Sequence, residues 1–154
     1  MFEPIRQGDI PGVQTRHRCL LSVGPVEAWD WLTVAGRLEA WLARRATCEP
    51  GVGGSLVLER EHESGEVVVE TGVIRAWEPG SLLTLDFRCD DPAWESTTRL
   101  ELTLSTTEEG SELMLFHEGF QRLRISACLT LWESYRRHWP LALARLARAI
   151  RDSS

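Results

Sequence analysis

His117, His138 and Tyr135 are the residues best suited to move protons in this chain. An imidazole titrates near neutrality, and a phenol can hold or release a proton beside a substrate oxygen. No carboxylate stands at a fixed spacing from either histidine, and each can equally make a structural hydrogen bond. The three are therefore the candidate catalytic residues, without a local motif to support them. His17 and His62 fall at opposite ends of the domain on this reading. Glu59, Glu61, Glu63 and Glu66 crowd one hairpin, where two carboxylates could form an acid–base pair. Strand alternation instead sets Glu59, Glu61 and Glu63 opposite Leu56 and Leu58, as a wetted outer face requires.

Several chemistries are excluded by composition. The chain contains no lysine and no asparagine, so a Schiff base, a Walker-type phosphate loop and an N-glycosylation site all lack an essential residue. No G-x-S-x-G elbow is present. Cys19, Cys48, Cys89 and Cys128 are widely spaced, with no CxxC, HxH or HxxxH seed, which argues against a metal site and a disulfide framework. They read as small buried thiols, and neither a metal nor a cofactor is expected.

The 17 arginines against 23 acidic residues leave a net charge of -6, which repels a nucleic-acid backbone. Arg44-Arg45 and Arg136-Arg137 read as solvated clusters, the latter within helical reach of Glu133. No run approaches the roughly 18 to 20 apolar residues of a membrane helix, and the N-terminus lacks a signal peptide's pattern. No nucleic-acid or membrane partner is expected, and the expected location is cytoplasmic.

These residues need a frame. Residues 1–14 mix Pro, Gly and charge without period and read as an N-terminal arm; a single domain is expected over 15–151. Thr15 to Val23 alternates as a strand. Gly24-Pro25 then opens a short helix carrying Val26, Trp29 and Leu32 on one face, and a second follows Gly36 with Leu38, Trp41 and Leu42. Five strand-like segments come next: Ser55 to Glu61, Glu66 to Trp77, Ser81 to Cys89, Thr97 to Thr106 and Ser111 to His117. Their short links imply antiparallel pairing, and Leu100, Leu102 and Leu104 mark a covered face. In Glu66 to Trp77 either face could be the inner one, because Val67, Val68 and Val69 run together.

The cover is a long helix from Ser126 to about Arg151. Ser126 is its expected cap, and Thr130 to Glu133 has capping-box spacing one turn later. Its apolar stripe is Trp132, Trp139, Leu143, Leu146 and Ile150, widened at the start by Cys128, Leu131 and Tyr135. Pro140 predicts a kink between Arg136 and Pro140. The fold class is α+β: a helix-grip arrangement with a curved antiparallel sheet of about six strands around the C-terminal helix.

From about Thr15 to Ile150 the chain resembles the START-related SRPBCC superfamily, in particular domains like the C-terminal domain of the heat-shock-protein-90 ATPase activator. The resemblance is carried by the order of several pieces. They are Pro25-Val-Glu-Ala-Trp-Asp-Trp-Leu-Thr with Leu38-Glu-Ala-Trp41, Gly51-Val-Gly-Gly54, Gly72-Val-Ile-Arg-Ala-Trp-Glu-Pro79, Gly110 through Phe120, and Trp139 to Leu146. His138-Trp139-Pro140 stands where relatives usually carry Gly-Trp. The resemblance implies a cavity between sheet and helix and transfers no catalytic residues.

Side chains expected to reach that cavity, as ligand-binding candidates, are Trp41, Val69, Val73, Phe87, Leu102, Leu115, Trp132, Tyr135 and Trp139. Three functions follow as expectations. The first is a domain binding a small hydrophobic molecule; the second is an enzyme of the polyketide-cyclase or dehydratase sort, using His117, Tyr135 or His138. The third is a co-chaperone-like interaction domain. Trp94, in a polar loop, reads as an exposed apolar group that a homodimer could cover.

Overall fold

A computed structural model of the chain describes residues 13–62 and 64–153. The arm over 1–14 therefore lies outside the described residues except for Val13 and Gln14, as does Glu63. Val13 is buried, and the Gln14 carbonyl accepts a 2.9 Å hydrogen bond from Trp132 Nε1, so the chain enters the domain pinned to its last helix.

The elements run β1 (Thr15–Leu21), α1 (Pro25–Thr33), α2 (Ala35–Leu38), β2 (Arg45–Cys48), β3 (Ser55–Glu61), β4 (Val67–Glu78), β5 (Leu82–Cys89), β6 (Thr98–Thr107), β7 (Gly110–Glu118), a 3-10 turn (Phe120–Arg122) and α3 (Cys128–Asp152). All seven strands join one antiparallel sheet in the order β1-β7-β6-β5-β4-β3-β2. Consecutive hairpins from β2 to β7 build it, and β1 closes the far edge by pairing with β7. The sheet holds one strand more than expected. β2 is four residues long, too short to display an alternation, and sits at an edge where only β3 supports it.

The inner face continues Leu56 and Leu58 of β3, Leu83, Leu85 and Phe87 of β5, Leu100, Leu102 and Leu104 of β6, and Leu113, Leu115 and His117 of β7, all buried. In β4 the buried positions are Glu70, Gly72 and Ile74, which settles the register left open by the valine run. Val69 and Val73 consequently belong to the outer face, with Val73 39% exposed. A register shift between Ile74 and Ala76 marks a bulge near the end of this strand. The tight turn before β3 depends on Gly54, where a Cβ would stand 2.0 Å from the Glu49 carbonyl oxygen.

The helix α3 lies on the inner face and buries Tyr135, Trp139, Ala142, Leu143, Leu146 and Ile150; of the expected stripe, Cys128, Leu131 and Trp132 are only half-buried. Trp132 is used at the rim: its indole N–H reaches Gln14 and its ring faces the Arg136 guanidinium at 5.2 Å. The helix runs unbroken through Pro140, which occupies an exposed position.

Its start differs from the expectation. Ala127 is the N-cap and no side chain caps the helix; a turn closed by Arg124 O with Ala127 N and Cys128 N precedes it, leaving Ser126 outside. Glu133, placed within the helix, pairs with Arg136 and Arg137 rather than closing a capping box.

Trp94 is also corrected: it is 2% exposed, folded against Phe87 and Tyr135 with ring centroids 6.1 and 5.9 Å away. The polar loop 90–95 bends inward because Asp91 accepts the Ala93 and Trp94 amides, and Arg88 donates to the Trp94 carbonyl at 3.3 Å. Trp94 is therefore a core residue and supplies no exposed patch for a second copy to cover. Of the thiols, only Cys89 is fully buried; Cys19, Cys48 and Cys128 are half-buried, and all four are free.

Candidate functional site

The alternation that buries Leu56 and Leu58 carries one step further along β3 and points Arg60 inward. Glu70, opposite Leu58 on β4, is inward as well, and the two meet diagonally. Arg60 Nε donates to Glu70 Oε1 at 2.7 Å and Nη2 donates to Oε2 at 3.0 Å, a bidentate pair with side chains 11% and 2% exposed. Tyr135 descends from α3 and donates its phenol proton to Glu70 Oε2, while the Arg60 guanidinium sits 5.6 Å from the centre of its ring.

Burial opposes the charge on Arg60, yet the adjoining carboxylate outweighs it and raises the guanidinium pKa. The Tyr135 phenol is raised well above its ordinary value, first by burial and then by the Glu70 charge. Cys89, inward beside Glu70 on β5, is pushed up to about 11 by burial and by that same charge, so its thiol stays protonated.

His117 is walled in beyond this group, 0% exposed among the rings of Phe87, Phe120, Tyr135 and Trp139. Trp139 Nε1–H can only donate, so its 3.1 Å bond to His117 Nδ1 makes that nitrogen an acceptor. The proton consequently resides on Nε2 and points to Thr98 Oγ1 at 2.7 Å, whose own hydroxyl donates to the Phe87 carbonyl at 3.1 Å. Both imidazole nitrogens are thus satisfied in the neutral ring. Burial, with a smaller contribution from His17, lowers its pKa to about 3.

His138 differs. It lies one turn from Ser134 on the flank of α3, and its Nε2 is buried without a hydrogen-bond partner. Burial first, then the charges of Arg60 and Arg145, lower its pKa to about 3.

Phe87, Trp94, His117, Phe120, Tyr135 and Trp139 fill the middle of the grip with edge-to-face and tilted rings. Open space lies beside this cluster, in two clefts that share Arg60, His62 and Ser134 as a dividing wall. The first, about 510 Å³, runs between the 39–44 segment after α2 and the α3 residues Ser134, His138, Leu141 and Arg145. The second, about 330 Å³, lies between the β3–β4 hairpin end, the 91–94 loop and the start of α3, and reaches Val68, Cys89, Trp94, Leu131 and Tyr135.

Of the expected ligand-contacting residues, Trp41 lines the first cleft and Tyr135 the second. Phe87, Leu102, Leu115 and Trp139 are buried in packed core, and Val69 and Val73 belong to the outer face. Among the acid–base candidates, His138 and Tyr135 reach a cleft. His62 Nε2 is 3.4 Å from Ser134 Oγ, whereas His17 bonds Thr15 Oγ1 on the edge strand β1.

Sequence reading missed Arg60 and Glu70. The period-two pattern from Leu56 would have flagged Arg60, an inward charge that must find a buried acid. Among the described residues no three His, Cys, Asp or Glu side chains converge as a metal site, and no helix is long and apolar enough to cross a membrane.

A curved antiparallel sheet closed over a long C-terminal helix, with two short helices after the first strand, defines a helix-grip protein of the SRPBCC type. The family model described as Activator of Hsp90 ATPase homolog 1-like protein matches residues 22–150, and the chain belongs to that family.

Among solved structures, MLL2253 from Mesorhizobium loti is 22% identical with a TM-score of 0.72, the match covering 92% of this chain and 98% of that one. CalU16 from Micromonospora echinospora is 23% identical with a TM-score of 0.64, covering 90% of this chain and 73% of that one. DynU16, a protein of the dynemicin biosynthetic locus, is 17% identical with a TM-score of 0.74, covering 94% of this chain and 49% of that one. These likenesses concern the fold. No curated protein matches the chain.

Proposed function

We propose that this protein binds a small hydrophobic molecule, probing it with the two clefts that meet at Arg60, His62 and Ser134. The observation that carries the reading is the placement of a fixed polar group beside apolar walls. Arg60, locked by Glu70 and Tyr135, presents a rigid edge to both clefts, while Trp41, Leu42 and Leu141 on one side and Val68, Trp94 and Leu131 on the other offer apolar surface. Binding sites combine these two ingredients, a mostly apolar lining and a few immobile polar groups that orient the ligand. The SRPBCC-type fold supports the same class of function.

A titration of 15N-labelled protein with 2-naphthalenemethanol, a neutral ring compound, tests this. Amide shifts confined to residues 41–43, 60–62, 94 and 130–141 are expected. Shifts scattered over the outer sheet face, with the cleft residues unmoved, would refute cleft binding.

A second reading, an enzyme of the polyketide-cyclase or dehydratase sort, is favoured by the presence of His138 and Tyr135 on the cleft walls. DynU16's place in a biosynthetic locus is compatible with it. With a polyketone substrate, loss of turnover in folded His138→Leu would support the reading, and unchanged turnover in both that variant and Tyr135→Phe would remove it.

A further inference from the structure

Four α3 residues, Ser134, His138, Leu141 and Arg145, follow one another at helical spacing and form one wall of the larger cleft. Two of them carry unspent hydrogen-bonding capacity. Arg145 uses Nε on the Trp41 carbonyl at 3.2 Å, and no carboxylate among the described residues stands within ion-pair distance of its guanidinium. His138 Nε2 is buried and bonds to nothing. An orphaned buried nitrogen is destabilising, and in native proteins it calls for a partner.

Between them Leu141 is 62% exposed, a large apolar side chain left in water beside Trp41 and Leu42. The other cations of the cleft are already committed: Arg44 to Glu59 at 3.1 Å and Arg60 to Glu70. Of the two acids there, Glu39 accepts the Ala46 amide at 3.1 Å and Glu61 is exposed at the end of β3.

Building on the cleft-binding reading above, we infer that the ligand of the larger cleft is an amphipathic acid. Its carboxylate lies between Arg145 and His138, and its apolar body covers Leu141 against Trp41 and Leu42. The free guanidinium nitrogens of Arg145 take one carboxylate oxygen, and a small rotation of the neutral His138 ring brings its buried Nε2–H out to the other. Burial first, and then the charges of Arg60 and Arg145, hold His138 in its neutral form. A neutral or cationic ligand of the same shape would leave both donors unmatched and gain nothing from them.

The test compares 2-naphthoate with 2-naphthalenemethanol, which share a ring system and differ in charge, on the full chain by amide NMR. Arg145 is exposed, so Arg145→Gln leaves the core intact, and His138→Leu provides a second variant. The wild type is expected to bind naphthoate about ten-fold or more tighter than the alcohol, with shifts at 41–43 and 134–145. That preference should shrink to about three-fold or less in Arg145→Gln while binding of the alcohol stays unchanged. Equal affinity for both probes in the wild type, or an undiminished preference in both variants, overturns the assignment of an acid and leaves cleft binding standing. Failure of both probes to shift the cleft residues overturns the two together.

Discussion

Removing one partner of the buried Arg60–Glu70 pair should destabilise this domain far more than removing both. The guanidinium and carboxylate are 11% and 2% exposed, so each single replacement strands a charge that water cannot reach. Stranding a buried charge costs about 3 to 5 kcal/mol, whereas exchanging a whole buried pair for apolar groups of similar volume is often near neutral. Glu70→Leu and Arg60→Met should therefore each lose about 3 to 5 kcal/mol, and the double variant no more than about 2 kcal/mol. The coupling energy from the cycle is then roughly 4 kcal/mol or more.

For a chain of 154 residues, each single variant should fall by roughly 6 to 20 °C in Tm. Urea unfolding followed by tryptophan fluorescence, with thermal melts alongside, measures all four corners. Single losses below about 1 kcal/mol, or additive losses in the double variant, would refute the picture of a desolvated bidentate pair.

Other expectations follow from the packing. Tyr135→Phe removes a hydrogen bond to a buried carboxylate and should cost about 1.5 to 3 kcal/mol by the same unfolding assay, with no loss marking the phenol as idle. His117 has an ordinary value of 6.5 and a folded value near 3, so the unfolded chain takes up its proton first as pH falls. Stability is complete above pH 6.5 and declines toward pH 3, by up to roughly 5 kcal/mol from this residue. Ring 1H–13C NMR of the folded protein should keep the His117 signals in the neutral, Nε2-protonated form at pH 5, and a midpoint near 6.5 would contradict the hydrogen-bond assignment. Trp94→Ser empties a buried site and should cost about 3 to 5 kcal/mol without altering the gel-filtration position; a change of elution with stability preserved would return Trp94 to the surface.

The architecture was legible because hairpin links, the apolar stripe of α3 and the order of the motif pieces are all local signals. The site was less so. Arg60 and Glu70 are charged residues on strands, and such residues usually mark the wet face; only their mutual pairing permits burial, and that pairing depends on β3–β4 register, which the valine run concealed. Trp94 followed the same logic in reverse, since a polar loop hid a turn whose Asp91 bonds fold the indole inward. Phe87 and Trp139 are buried in the grip, and the spacing of apolar residues does not distinguish rings that line a void from rings that fill it. His117, joined to Trp139 and Thr98, helps fill that space. The short strand β2 and the uncapped start of α3 lacked any periodic or capping signal to read.

The most direct test of the central claim is a crystal structure of the protein with 2-naphthoate. The ring is expected over Leu141 and Trp41, its carboxylate toward Arg145 and His138, and the aromatic cluster around His117 unmoved. A probe seated inside the grip between Phe87 and Leu102, with those rings displaced, would contradict it.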